Sequence, residues 1–117
     1  MIAIDHKAKL VTVAVLGEFT LADFKEFEDL VNTQVQFAGA VSLLFDLREM
    51  AAFTVDMVLE EIKFSRRHPQ DFSRIAILTK SPWVAFTAWI EQSFVAADLR
   101  VFGDEEEARN WLAEGAQ

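Results

Sequence analysis

Charged side chains follow two apolar segments of the sequence at the point where each segment ends. Asp46 and Arg48 come after the apolar residues 41–45, and Lys80 comes after 74–79. If both segments are parallel strands, these side chains lie at the carboxyl edge of a sheet, where ligands of open α/β folds bind. The same residues can also form ion pairs at the rim of the sheet, which contribute little to stability. This edge is therefore a candidate binding site, with rim ion pairs as the simpler interpretation.

Hydroxyl residues begin the two predicted helices that follow these strands. Thr54 is positioned to cap a second helix, and Ser81 with Pro82 after it has the pattern of a third helix start. Free backbone amides at helix N-termini are natural anion sites. Capping alone also explains both residues, so they do not by themselves indicate a ligand.

Most catalytic and metal-binding chemistries lack the residues that they need in this sequence. The chain has no cysteine, its two histidines, His6 and His68, lie far apart, and its four glycines form no phosphate-binding cluster. The acidic runs 60–61 and 105–107 are typical of solvated helix faces and of a helix N-terminus. We therefore predict that the protein is not an enzyme and has no catalytic residue, no metal site and no cofactor.

Length and charge limit the architecture and the partners. The 117 residues fit a single domain spanning 1–117. The formal net charge of −8 disfavours nucleic-acid binding, which needs a concentrated basic surface. The N-terminal residues lack an apolar signal core, and no apolar segment approaches the roughly 20 residues needed to cross a bilayer. These features predict a soluble, cytoplasmic protein without a nucleic-acid partner.

Strand-like and helix-like segments alternate along the chain. Their order, β-β-α-β-α-β-α-β-α, predicts an α/β fold with a mixed, mostly parallel sheet of about five strands and about four helices. The predicted strands are 2–5, 10–16, 41–45, 74–79 and 99–102, and the predicted helices begin at Thr20, Thr54, Ser81 and Asp104. The first two strands are expected to form a hairpin, Gly17 to end the second strand, and 47–53 to be a loop.

The first helix has the clearest local signals. Thr20 and Asp23 have the spacing of a capping box, and Phe19 and Phe24 have that of a hydrophobic staple. Apolar residues then repeat at helical spacing, which predicts one face packed on the sheet. The last helix is predicted to bury Ala108, Trp111 and Leu112.

The second helix carries more apolar residues than one buried face needs. At 100° per residue, Val55 and Leu59 are predicted to face the core, together with Val58 and Ile62. Met57 then lies nearly opposite, with Phe64 beside it further along the helix. These two residues are therefore expected to point outward.

The third helix is apolar almost all round. Trp83 and Phe86 are predicted to lie on its inner side, and Trp89 on another face. A helix of this kind is usually covered on more than one side. The cover can be another part of this chain, a second copy in a homodimer, or a lipid, apolar ligand or membrane surface. The sequence leaves these three alternatives open.

Several short motifs recur in an order and spacing more specific than any one of them. They are Gly17-Glu18-Phe19-Thr20 with Asp23-Phe24, Leu43-Leu44-Phe45-Asp46, the segment 74–78 with Trp83 after it, and 100–102 followed by 107–112. Together they resemble the SpoIIAA-like family over nearly the whole chain. The resemblance implies a STAS-like fold, similar to that of anti-sigma-factor antagonists and of Sec14-like lipid-binding domains. Membrane association or apolar ligand binding has been suggested for this mostly bacterial group.

The phosphorylation site of the antagonists has no clear counterpart here. The resemblance places a phosphorylatable serine, in an Asp-Ser pair, at the start of the helix after the central strand. In this chain the corresponding residues 46–54 contain no serine. Thr54 is their only hydroxyl residue, and helix capping explains it without phosphorylation.

Our leading hypothesis is a non-enzymatic, STAS-like binding or regulatory module that acts through apolar surface on the second and third helices. A partner-switching regulator that uses the loop 46–54 is the alternative, and an uncharacterised enzyme is a distant third. Expected partners are a second copy of the chain, an apolar small molecule or lipid, and a membrane surface. The candidate surface residues are Asp46, Arg48, Thr54, Met57, Phe64, Lys80, Trp83, Phe86 and Trp89.

Overall fold

The structure is a computed structural model that describes residues 1–7, 9–57, 59–60, 63, 72–79 and 98–115. Its complete elements are β1 (Ile2–Lys7), β2 (Leu10–Phe19), α1 (Leu21–Ala38), β3 (Val41–Phe53), β4 (Phe72–Leu78), β5 (Asp98–Phe102) and α2 (Glu105–Gly115). Residues 55–57, 59, 60 and 63 are also helical and belong to the predicted second helix. The predicted third helix lies outside the described residues.

All five strands form one sheet in the order β1-β2-β3-β4-β5. β1 pairs antiparallel with β2, and the other three neighbouring pairs are parallel. Parallel neighbours need a connection that crosses a face of the sheet, which is why helices alternate with strands in the sequence. The predicted α/β class with a mixed, mostly parallel sheet is confirmed, as is the opening hairpin.

Apolar side chains cover the sheet on both faces. On one face α1 buries Phe24 and Phe27 in a cluster that includes Phe45 of β3. On the other face α2 buries Trp111 against Leu44. Leu44 and Phe45 belong to different clusters because successive residues of a strand point to opposite faces. The predicted buried face of the last helix, Ala108, Trp111 and Leu112, is confirmed.

The start of α1 has both predicted local devices. Asp23 N donates to Thr20 Oγ1 at 3.2 Å, and Thr20 N donates to Asp23 Oδ2 at 3.1 Å. The buried rings of Phe19 and Phe24 lie 6.2 Å apart. Burial raises the pKa of Asp23, but hydrogen bonds from the amino group of Met1 and from Thr20 outweigh it and hold that pKa below its ordinary value. The capping carboxylate is therefore held in its ionised form.

β3 is much longer than predicted. It runs from Val41 to Phe53, so the predicted loop 47–53 is wrong. The pairing with β2 continues from Leu16 opposite Glu49 to Phe19 opposite Phe53. Leu47 and Met50 are buried along this extension. The candidate site therefore sits on a strand.

Gly17 lies within the part of β2 that pairs with the extension of β3. The sequence suggests that this glycine ends β2, but β2 continues through it to Phe19. Gly17 has a φ of +69°, a left-handed conformation that glycine adopts without steric penalty. Register shifts flank it, between Ala14 and Leu16 and between Gly17 and Glu18. At each shift β3 advances one residue more than β2, so the extra residues are on β3. Such bulges bend a strand without ending it, and the pairing continues to Phe53.

Candidate functional site

The second half of β3 carries an ion cluster that joins it to the start of α2. Arg48 donates through Nε to Asp46 Oδ1 at 2.9 Å and through Nη2 to Asp46 Oδ2 at 2.8 Å, a bidentate pair. The same Nη2 donates to Glu105 Oε1 at 2.9 Å, and Arg109 Nε donates to Glu105 Oε2 at 2.7 Å. Two carboxylates and two guanidinium groups thus alternate across the rim of the sheet.

The charges of this cluster stabilise one another. Hydrogen bonding to Arg48 holds the pKa of Asp46 below its ordinary value despite partial burial. Hydrogen bonds from Arg109 and then Arg48 lower the pKa of Glu105. The bond to Asp46 in turn raises the pKa of Arg48. Both carboxylates are therefore ionised and hydrogen-bonded to guanidinium groups. This arrangement suits a structural link between β3 and α2 and disfavours a role as general acid.

The ion-pair interpretation of Asp46 and Arg48 is the one that the structure shows. Lys80, the third member of the predicted set, lies outside the described residues. Glu105 could not be predicted as a partner from the sequence, because Arg48 and Glu105 are 57 residues apart in the chain. The usable signal was the acidic first turn of the last helix, which marks an N-terminus but does not say which cation approaches it.

Thr54 connects the end of β3 to the next helix. Its backbone N donates to the carbonyl oxygen of Phe19 at 3.1 Å, which continues the contact with β2. Its Oγ1 accepts from Met57 N at 3.4 Å, and Asp56 Oδ1 accepts from the same N at 2.9 Å. The predicted capping position of Thr54 is confirmed.

The outward-facing position predicted for Met57 is wrong. Its side chain is 0% exposed and belongs to the core cluster on the α1 face, whereas Val55 is 75% and Leu59 56% exposed. Val55 and Leu59, two members of the apolar stripe predicted to face the core, therefore lie on the solvent-exposed side of the helix. The helical phase is set by the strand that leads into the helix and by its anchoring at Thr54. A stripe of apolar residues does not reveal that phase.

Three apolar side chains are exposed where β3 ends and the helix begins. They are Phe53 (40% exposed), Val55 and Leu59, and we call them the 53–59 surface. Val55 and Leu59 are four residues apart and lie on the same side of the helix. Phe53 is the last residue of β3. Grouped exposed apolar side chains mark interaction sites more often than single ones do.

The predicted site residues thus fall into three groups. Asp46 and Arg48 are in the ion cluster, and Thr54 and Met57 are a cap and a core residue. Phe64, Lys80, Trp83, Phe86 and Trp89 lie outside the described residues. Val55 and Leu59, which were predicted to face the core, are exposed instead.

Neither a cluster of metal ligands nor a helix able to cross a membrane is found among the residues that the structure describes. There, no group of three or more His, Cys, Asp or Glu side chains is arranged to hold a metal ion. Nor does any helix of that part combine the length and hydropathy that crossing a membrane requires.

The chain has counterparts among known proteins. Residues 10–113 match the model of the SpoIIAA-like family. The chain belongs to the SpoIIAA-like family. The resemblance drawn from the short sequence motifs is confirmed, and the match spans most of this SpoIIAA-like chain. No curated protein matches it.

Solved structures show the same fold at low sequence identity. An uncharacterised protein of the DUF3478 family with a SpoIIAA-like fold, from Shewanella loihica PV-4, has a TM-score of 0.76 and 18% identity, covering 96% of this chain and 92% of the other. The anti-sigma factor antagonist SpoIIAA in its unphosphorylated form has a TM-score of 0.64 and 14% identity, covering 97% and 98%. An anti-sigma factor antagonist from Mycobacterium paratuberculosis has a TM-score of 0.60 and 11% identity, covering 97% and 93%. At such identities the likeness establishes the fold.

Proposed function

We propose that this SpoIIAA-like chain is a non-enzymatic binding module that engages a protein partner through the 53–59 surface. The observation that carries the proposal is the exposure of Phe53, Val55 and Leu59 beside the fully buried Met57. Exposed apolar residues at the end of a rigid strand are already positioned for contact, so binding requires little ordering of the chain. The fold is shared with proteins described as anti-sigma factor antagonists, which supports a regulatory role.

The ion cluster supports a binding function over a catalytic one. Asp46 and Glu105 each accept hydrogen bonds from a guanidinium group, and their pKa values are lowered. General acid catalysis near neutral pH instead needs a carboxyl group whose pKa is raised. The cluster instead links β3 to α2, and the pairing of the end of β3 with β2 makes the strand that carries Phe53 a rigid support.

The alternative of a regulator acting through a loop at 46–54 needs revision. Residues 46–53 belong to β3, and Thr54 is held by Phe19 and caps the next helix. We therefore place the contact at the end of the strand and on the exposed side of the helix.

Serine substitutions in the 53–59 surface are expected to remove partner binding. Val55→Ser with Leu59→Ser removes two exposed apolar side chains, and alanine-type truncation of central interface residues weakens complexes by about tenfold or more. The measurement is affinity capture from an extract of the source cells, quantified by mass spectrometry for the wild type and the variant. Val101→Ser is the matched control, because Val101 is 48% exposed on β5, which β4 separates from β3.

The proposal predicts proteins that are captured by the wild type and by Val101→Ser but lost with the double variant. Identical capture by all three proteins would contradict it. Native mass spectrometry of the purified protein distinguishes the two other possible occupants of this surface, an apolar ligand and a second copy of the chain. A lipid-sized adduct that disappears in the double variant would assign the surface to an apolar ligand, and a dimer that disappears would assign it to self-association.

A further inference from the structure

We infer that the partner of the 53–59 surface presents a cationic segment, in which apolar side chains are flanked by lysine or arginine. This inference rests on the proposed function and adds the chemistry of the partner to it. It is carried by the carboxylates that accompany the exposed apolar side chains.

Three exposed carboxylates lie along the segments that form this surface. Glu18 pairs in register with Ala52, the residue before Phe53. Glu49 is exposed on the same extension of β3, and Asp56 is exposed directly after Val55. Within the described part of the chain, none of the three carboxylates makes an ion pair. Between Arg48 and Lys63 the sequence has four acidic residues and no basic one. Lys63 itself is exposed on the helix, four residues after Leu59.

The three carboxylates favour one of the possible occupants of this surface over the others. A second copy of the chain would bring the same carboxylates together across a two-fold interface, because such an interface joins identical patches. An anionic membrane surface would repel a chain whose net charge is −8. A cationic segment gains attraction to each carboxylate, and charge complementarity also raises the rate of association. The surface is therefore complementary to a basic segment with apolar side chains.

Two designed helical peptides of about 15 residues test the inference by fluorescence anisotropy. Both carry leucines four residues apart, flanked by lysines in one peptide and by glutamates in the other. We expect the wild type to bind the lysine peptide about tenfold or more tightly than the glutamate peptide. This preference should weaken at high salt, since exposed charges are screened.

Matched variants locate the charges. Glu49→Gln with Asp56→Asn should reduce the preference for the lysine peptide. Glu26→Gln with Asp29→Asn removes the same charge from the exposed side of α1 and should retain the preference. Val55→Ser with Leu59→Ser should abolish binding of the lysine peptide. Circular dichroism and thermal unfolding verify that each variant is folded.

The outcomes separate the two proposals. Equal binding of both peptides, or tighter binding of the glutamate peptide, overturns the cationic partner. If the variant with Val55→Ser and Leu59→Ser then binds neither peptide, the proposed function still stands. Lysine-peptide binding that persists in this double variant overturns the surface itself, because the attraction would then come from net charge alone. Failure of the wild type to bind the lysine peptide, or its sedimentation with phosphatidylcholine–phosphatidylglycerol vesicles, also overturns the inference.

Discussion

Replacing Met57 with alanine is expected to lower the free energy of unfolding by about 2–5 kcal/mol, the usual cost of truncating a large buried side chain. Met57 is 0% exposed and lies in the same core cluster as Phe27 and Phe45. The substitution removes its dispersion contacts and leaves a cavity that the surrounding side chains fill only in part. Chemical denaturation followed by circular dichroism measures the change.

Val55→Ala and Leu59→Ala are the controls for this result. Both side chains are more than half exposed, so each substitution should change the free energy of unfolding by about 0.5 kcal/mol or less. The sequence pattern alone predicts the reverse ranking. A small effect at Met57 together with large effects at Val55 and Leu59 would show that Val55 and Leu59 face the core, and would refute the 53–59 surface.

Replacing Leu47 with alanine is expected to lower the free energy of unfolding by a similar amount, about 2–5 kcal/mol. Leu47 is fully buried just beyond the point where the sequence suggests that the strand ends. In a solvated loop the same truncation would have little effect, so the substitution distinguishes a strand at 47–53 from a loop. The measurement is again the unfolding free energy, with the denaturant dependence checked for two-state behaviour.

Glu49→Ala is the matched control on the same strand. Its side chain is exposed, and we expect a change of about 0.5 kcal/mol or less. If Leu47→Ala were as mild as Glu49→Ala, the continuation of β3 to Phe53 would be refuted. The rigid support that we assign to the surface would then be lost as well.

Local signals were sufficient for much of the fold. The capping box of Thr20 and Asp23 and the staple of Phe19 and Phe24 involve residues a few positions apart, so the sequence states them directly. Alternation of apolar strands with helices likewise sufficed for the α/β class. The family resemblance agreed with both.

The candidate site depended on contacts that local patterns do not encode. The length of β3 follows from pairing with β2, which continues past Gly17 although β3 has two extra residues along it. The ion cluster joins Arg48 to Glu105, far along the chain. The orientation of Met57 follows from how β3 delivers the chain into the helix. In each case a distant segment determines the outcome, so a reading of neighbouring residues gives an incomplete or inverted result.

The central claim is that Val55 and Leu59 face outward while Met57 faces the core, and thiol labelling tests it most directly. The chain has no cysteine, so Val55→Cys, Leu59→Cys and Met57→Cys each introduce a single reactive group. Under native conditions we predict rapid labelling at positions 55 and 59. At position 57, labelling should proceed only through unfolding, slowed on the order of the folded-to-unfolded ratio. Rapid labelling at 57 with protection at 55 and 59 would contradict the account.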